Sequence, residues 1–304
     1  ITIENAYSQL LAEGYICSKP RRGYYACELP EAPVLASAAE DADRDAAPAS
    51  FGVHDSYGQP EQFAALSPSA LEAARLWQSA LRATLASEDE REIFSPAPAQ
   101  GTARLRHAIA HYLRGTRGMN INPDNIVIGA GAQLLDTMLV QLLGTDKTYA
   151  VEDPGYLRLT RIYQAMGCKV RHIPLDGEGV NLGELLDAGA DVLHLMPSHQ
   201  YPTGLVTSIA RRYALLSWAA ERQGRYLIED DFDCEFRLAG KPIPALASID
   251  AAQSVIYTNT FSKSLSSALR LAYMVLPDEL MERFRRELGF YASSVSSVDQ
   301  VALA

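Results

Sequence analysis

No apolar run in the chain approaches the roughly 20 residues needed to cross a bilayer as a helix, and that argues against a membrane-spanning protein. The opening "ITIENAYSQL" lacks a basic flank followed by an apolar stretch, so it does not read as a signal peptide. Cysteine is scarce and scattered. Cys17, Cys27, Cys168 and Cys234 form no close pair, which removes a zinc site or a disulfide framework and fits free thiols in a cytoplasmic protein. Positive charge is also short, with 27 basic against 37 acidic residues and a net charge of −10. A broad nucleic-acid surface is therefore not expected, although a small basic head on an acidic body is still allowed. Internal repeats are missing too. What is present is ordinary for a soluble globular chain, 48% hydrophobic and 21% charged over 304 residues, and the length suggests about two domains.

Composition divides the chain into three zones. In residues 1–30, Ile3, Ala6, Tyr7, Leu10 and Leu11 fall on one helical face, and Gly14 is a natural left-handed stop. "YICSKPRRGYYAC" then reads as two short strands around a basic turn containing Pro20 and Gly23. Residues 31–60 begin with an Ala-, Asp- and Pro-rich stretch without apolar period and read as a linker. From residue 61, helical patterns such as "ALEAARLWQSALRATL" and "TARLRHAIAHYLRG" alternate with short apolar runs such as "NIVIG", "YAVEDP", "VRHIPL", "DVLHLMP", "YLIEDDF", "SVIYTNTF" and "LAYMVLP". Strands separated by helices imply right-handed crossovers and a largely parallel, buried sheet, hence an α/β domain with its own core.

Pockets in such sheets open at the carboxyl ends of the strands, and four groups fall there. Gly129 and Gly131 in "IGAGAQLLD" precede a helix whose first free N–H groups, on Ala132 and Gln133, suit an anion such as phosphate; taken alone, the group reads more simply as a tight strand–helix turn. Tyr156 in "EDPGYLRLTR" opens a helix next to Arg158 and Arg161, either to stack on a flat ligand or to staple the helix entry. Glu229, Asp230, Asp231 and Asp233 crowd one strand end. Their mutual repulsion calls for a cation or a protonated ring nitrogen, unless the turn is simply solvated. In "TNTFSKSLSSALR", Lys263 could form a Schiff base beside Thr260 and Ser262, with Arg270 clamping a phosphate; a loop lysine and arginine is the plainer alternative. Together the four groups describe one ligand that is planar, cationic at a ring nitrogen, phosphorylated and carbonyl-bearing. Pyridoxal 5'-phosphate has all four properties.

On these residues the sequence resembles the MocR/GabR-type regulators, which fuse a GntR-type winged helix-turn-helix to a fold-type I aminotransferase domain. "AYSQLLAEGYICSKPRRGYY" is similar to the end of a recognition helix plus wing, and "IVIGAGAQ", "VEDPGY", "MPSHQYPTG", "IEDDFDCEFR", "PIPALASID" and "YTNTFSKSLSSALR" follow in the family's order. The resemblance implies an α/β fold, a fold-type I aminotransferase large domain with a mostly parallel sheet flanked by helices, over residues 61–304, after a winged-helix remnant over 1–30. It implies that Lys263 forms the Schiff base with the cofactor and that Asp230 pairs with the pyridine nitrogen. Arg270, the amides of Ala132 and Gln133, and Ser262 or Thr260 would hold the phosphate. Tyr156 would stack on the ring, and His199 or Gln200 would lie near its phenolic oxygen. Arg158 would meet the carboxylate of a small amine or amino-acid effector, and Lys19, Arg21 and Arg22 would touch DNA phosphates in a homodimer.

The departures are specific. Phe232 stands where the family usually has tyrosine, which removes a hydrogen bond to the phenolic oxygen. "SSALR" replaces a proline–glycine pair, and "EIFSPAPAQG" lacks an upstream tyrosine. Ile1 falls inside the recognition helix, and "VSSVDQVALA" matches the lead into a C-terminal small domain, so the chain reads as cut at both ends. The expectation is a regulator that senses pyridoxal phosphate or an amino-group effector with little turnover. A working class I/II aminotransferase is the alternative, and a cofactor-storage protein is a weaker third.

Overall fold

The computed structural model describes residues 16–19, 23–26, 68–87, 90–233, 244–262, 265 and 267–304. The chain divides into two units, residues 1–63 and 64–304. In the first, β1 (Ile16–Lys19) pairs antiparallel with β2 (Gly23–Ala26), with Lys19 opposite Gly23. This is the hairpin expected from "YICSKPRRGYYAC". The expected helix before it, its turn with Arg21 and Arg22, and the linker all lie outside the described residues.

The second unit begins with α1 (Pro68–Ser87), α2 (Glu90–Phe94) and α3 (Ala103–Arg117), and continues through β3 (Ile126–Gly129), α4 (Ala132–Leu143), β4 (Thr148–Asp153) and α5 (Leu157–Ala165). Next come β5 (Lys169–Asp176), β6 (Gly179–Val180), α6 (Leu182–Asp187), β7 (Val192–Leu195), α7 (Ile209–Ala220) and β8 (Tyr226–Asp230). The last elements are α8 (Leu246–Ile249), β9 (Val255–Thr260), β10 (Ala272–Val275), α9 (Asp278–Glu287) and α10 (Ser297–Leu303). Local chemistry sets the ends of α3. Thr102 accepts a hydrogen bond from the Leu105 N–H at the N-cap, and Gly118 closes the helix at φ 67°. Leu105, Ile109 and Leu113, spaced by four, are its buried stripe.

Eight strands form one sheet in the order β3-β10-β9-β8-β7-β4-β5-β6. β9, β8, β7, β4 and β5 run parallel, as the strand–helix alternation implied. β10 does not. It lies antiparallel to both β3 and β9. β3 therefore points the same way as β9.

The central strands are buried on both faces. Alternation sends Tyr149, Val151 and Ile228 to one cluster with Leu135, Leu139 and Tyr163, while Ala150, Leu193 and Leu227 join Leu185, Leu215 and Trp218 on the other. Each such fully buried leucine contributes about 1.5–3 kcal/mol of transfer free energy. Among the described residues no helix is long and apolar enough to cross a membrane.

Candidate functional site

Because β3, β4, β7, β8 and β9 share a direction, their carboxyl ends, at Gly129, Asp153, Leu195, Asp230 and Thr260, open on one edge of the sheet. A cavity of about 370 Å³ lies there. It brings together Ala132, Gln133, Tyr156, Arg158, Asp230, Phe232, Thr260, Ser262 and Arg270, residues from all four groups singled out in the sequence.

One corner of the cavity suits an anion. α4 starts at Gly131 (φ 92°, ψ 158°) with no side-chain cap. The first bonds to the Gly131 carbonyl come from Leu134 and Leu135, so among the described residues the N–H groups of Ala132 and Gln133 have no partner. The Arg270 guanidinium lies against this turn so closely that a Cβ on Gly131 would sit 2.5 Å from Nη2. Arg270 itself has φ 50°, a left-handed backbone that a non-glycine residue adopts at a cost of about 1 kcal/mol, and no carboxylate among the described residues pairs with it. The Thr260 hydroxyl lies 2.8 Å from Ser262 Oγ and 3.2 Å from the Leu271 carbonyl, which ties Ser262 to the same corner.

The acidic row resolves through the pleat of β8 and the turn after it. Glu229 points away from the cavity and is fully buried; its carboxylate accepts the N–H groups of Leu246 and Ala247 at 2.8 and 2.9 Å and lies 3.6 Å from Arg212. Burial, then the Asp231 charge, raises its pKa to about 7. Arg212, also fully buried, donates to the carbonyls of Pro197, Thr207 and Pro244, which fastens three loops to the strand. Asp231 meets the Arg117 guanidinium at 2.9 Å and accepts the Tyr257 hydroxyl at 2.7 Å. Asp233 bonds to His199 Nδ1. Of the four carboxylates, Asp230 alone lines the cavity.

Part of the lining is aromatic. Tyr156 caps α5 and stands edge-to-face with Tyr201 at 6.0 Å, and the Arg158 guanidinium lies 5.7 Å from the Tyr156 ring centre. Phe232 lines the cavity and packs on the core. His199 is not among the lining residues. Gln200 is buried, its amide spent on the Pro154 carbonyl at 2.9 Å and on the loop around Thr203. Lys263 lies outside the described residues, as do Arg21, Arg22 and the side chain of Lys19.

Four lining residues had no role in the sequence reading: Asp136, Leu159, Met196 and Tyr201. Asp136 had a usable signal, since it follows Ala132 by four and so shares its helix face. Burial raises its pKa to about 7. Tyr201 stood inside the quoted "PSHQYPTG" without an assignment.

The donor set fits a planar, phosphorylated, cationic ring: bare helix-start amides beside an arginine with no acid partner among the described residues, the carboxylates of Asp230 and Asp136, and the aromatic rings of Tyr156, Tyr201 and Phe232. Residues 57–304 match the model of the aminotransferase class I and II family. The chain belongs to that family. An archaeal alanine:glyoxylate aminotransferase superposes on this family member with a TM-score of 0.68 at 23% identity, over 78% of this chain and 60% of that one. The α-aminoadipate aminotransferase LysN of Thermus thermophilus, solved with N-(5'-phosphopyridoxyl)-L-leucine, gives 0.64 at 25% identity over 77% and 61%. By sequence the chain is 35% identical to the HTH-type transcriptional regulator YdeL of Bacillus subtilis and 32% identical to the pyridoxine biosynthesis regulator PdxR of Corynebacterium glutamicum. Each alignment covers 100% of this aminotransferase-family chain and 64% or 63% of the relative, so the chain spans about two thirds of the regulators' length.

Proposed function

We propose that this chain is part of a pyridoxal-phosphate-dependent transcriptional regulator whose aminotransferase-type domain senses the cofactor or a small amine. The carrying observation is a difference in coverage. The aminotransferase model begins at residue 57, whereas four regulators, YdeL, YhdI, MocR and PdxR, align with 100% of the chain, including the first 56 residues. By contrast, the 2-aminoadipate transaminase of Thermus thermophilus aligns with 62% of it. The basic hairpin before residue 57 is what a regulator needs and a transaminase does not. Lys19, Arg21 and Arg22 would contact DNA phosphates, which position a protein without reading sequence.

Pyridoxal phosphate, when bound, supplies an aldehyde that captures primary amines and a ring that withdraws electrons. The chain's residues would divide the work of holding it. Arg270 and the start of α4 take the phosphate, with Ser262 and Thr260 beside them. Asp230 faces the ring nitrogen and favours its protonated form, because it is the carboxylate of the row that lines the cavity and no arginine among the described residues pairs with it. Tyr156 covers a ring face, and Lys263 provides the amine. Arg158, at the rim of the cavity, is placed to receive an effector's carboxylate. Phe232 offers no hydrogen bond to the ring oxygen, which favours sensing over turnover. A homodimer fits this fold and would present two DNA-binding heads.

The test uses the full-length protein. Reduction with borohydride in the presence of pyridoxal phosphate is expected to leave a pyridoxyl group on Lys263 by peptide mass spectrometry, and the same protein is expected to shift an operator DNA fragment in a gel. An unmodified Lys263 in folded protein would refute the cofactor reading. Steady amino-group transfer without DNA binding would favour the aminotransferase alternative.

A further inference from the structure

One buried polar group near the cavity has no part in the reading above. His194 stands mid-strand in the apolar "VLHL" of β7 and is 2% exposed. Burying an imidazole there is costly unless its nitrogens find partners. Nδ1 lies 2.6 Å from the hydroxyl of Tyr163, itself fully buried. Burial, reinforced by the Asp136 charge, holds the Tyr163 phenol well above its ordinary pKa, so it keeps its proton. That hydroxyl has no other partner among the described residues, and it therefore donates to Nδ1. A ring nitrogen that accepts carries no hydrogen, which places the ring proton on Nε2. Among the described residues Nε2 has no hydrogen-bond partner, and it lies 3.9 Å from Asp230 Oδ2, just beyond bonding reach. A buried donor is thus aimed at the one carboxylate of the acidic row that lines the cavity.

We propose that His194 is a positioning residue for the cofactor ring: its Nε2–H, oriented by Tyr163, closes on one oxygen of Asp230 and keeps that carboxylate aligned while the other oxygen takes a protonated ring nitrogen. This rests on the pyridoxal phosphate reading. The groups facing His194 are Asp136 from α4, Glu152 from β4, Asp230 from β8 and Tyr163 from α5. Burial alone would lower the imidazole's pKa. The nearby Asp230 carboxylate and the charges of Asp136 and Glu152 outweigh it and hold the pKa above the ordinary value. Nε2 bears a proton in both the neutral and the charged ring; in the charged ring Nδ1 carries one too and donates to the Tyr163 oxygen instead, so the Nε2–H toward Asp230 persists while the Tyr163 bond reverses.

Three variants of the full-length protein test this: His194→Leu, His194→Gln and Tyr163→Phe. They are titrated with pyridoxal phosphate and with its deaza analogue, in which carbon replaces the ring nitrogen. His194→Leu is expected to weaken pyridoxal phosphate about tenfold, the effect typical of removing a residue that orients a ligating group. It is also expected to raise the pH midpoint of the bound cofactor's visible absorbance by about one pH unit. Binding of the deaza analogue should not change. His194→Gln keeps an N–H and should recover most of both effects. Tyr163→Phe, which frees Nδ1, should move the midpoint in the same direction, and nitrogen NMR of cofactor-free wild type should show Nε2 protonated. Equal losses for both ligands, an unmoved midpoint, or a proton on Nδ1 instead of Nε2 would overturn the inference. Failure of the wild type to bind pyridoxal phosphate would overturn the functional reading itself, a result distinguishable from these.

Discussion

Adding one methyl group at Gly131 separates phosphate recognition from everything else in the cavity. Gly131 sits at φ 92°, ψ 158°, a region open essentially to glycine alone, so Gly131→Ala costs about 1–3 kcal/mol of backbone strain. The new Cβ would also lie 2.5 Å from Arg270 Nη2 and 2.7 Å from Cζ, closer than atoms approach without contact repulsion. The guanidinium is the far end of a long side chain and will swing away while the turn persists. What is lost is a charge-assisted pair with the phosphate, about 1.5–3 kcal/mol, or roughly 10- to 150-fold in affinity. The assay compares pyridoxal phosphate with pyridoxal, which has the same ring and aldehyde without the phosphate. The variant should lose one to two orders of magnitude for the first ligand and little for the second. Urea unfolding of the cofactor-free protein measures the strain separately. Equal losses for the two ligands, or an unchanged affinity for pyridoxal phosphate, would refute the placement of the phosphate against Gly131.

Two further outcomes follow from buried charge. Arg212→Leu strips donors from the carbonyls of Pro197, Thr207 and Pro244 and leaves Glu229 without its cation, so urea unfolding should show a loss of at least about 3 kcal/mol; a loss below about 1 kcal/mol would mean that Arg212 does not brace the loops. Burial raises Asp136 and Glu152 to about 7, and the carboxylates around His194 raise its imidazole, so between pH 4 and 7 and just above, the folded state binds more protons than the unfolded one. Stability of the cofactor-free protein should therefore fall as pH rises from 5 to 8. For Asp136 alone the change from 3.8 to about 7 corresponds to about 4 kcal/mol in all, of which about 2.7 kcal/mol falls between pH 5 and 8. Denaturant melts at both pH values check this, and a flatter profile is expected for Asp136→Asn.

Much of the molecule was legible without coordinates because its signals are local. Apolar period, glycine turns and capping residues act within a few residues of themselves, so the alternation of strands and helices and the glycine turn into the uncapped start of α4 could be read along the chain. Arg270, Asp230 and Tyr156 were named for their roles before any distance was known. The short elements were less legible: β6, with two residues, and α8, with four, carry too little pattern to stand out.

Pairing and pleat decided the rest. "LAYMVLP" reads as a strand in any orientation, and only its neighbours made β10 antiparallel, which in turn pointed β3 the same way as β9. Four acids in the five residues from Glu229 to Asp233 are equivalent as a string. Strand alternation gave Glu229 to Arg212 and Asp230 to the cavity, and the turn gave Asp231 to Arg117 and Asp233 to His199. His194 looks like a stray polar residue in an apolar run until the sheet sets it between Tyr163 and Asp230. By itself the sequence determined which chemical groups the chain has to offer and which ends of its strands carry them. The tertiary structure decided which of those groups face each other across the cavity, because that depends on contacts between residues as far apart as Gly131 and Arg270, which no local pattern encodes.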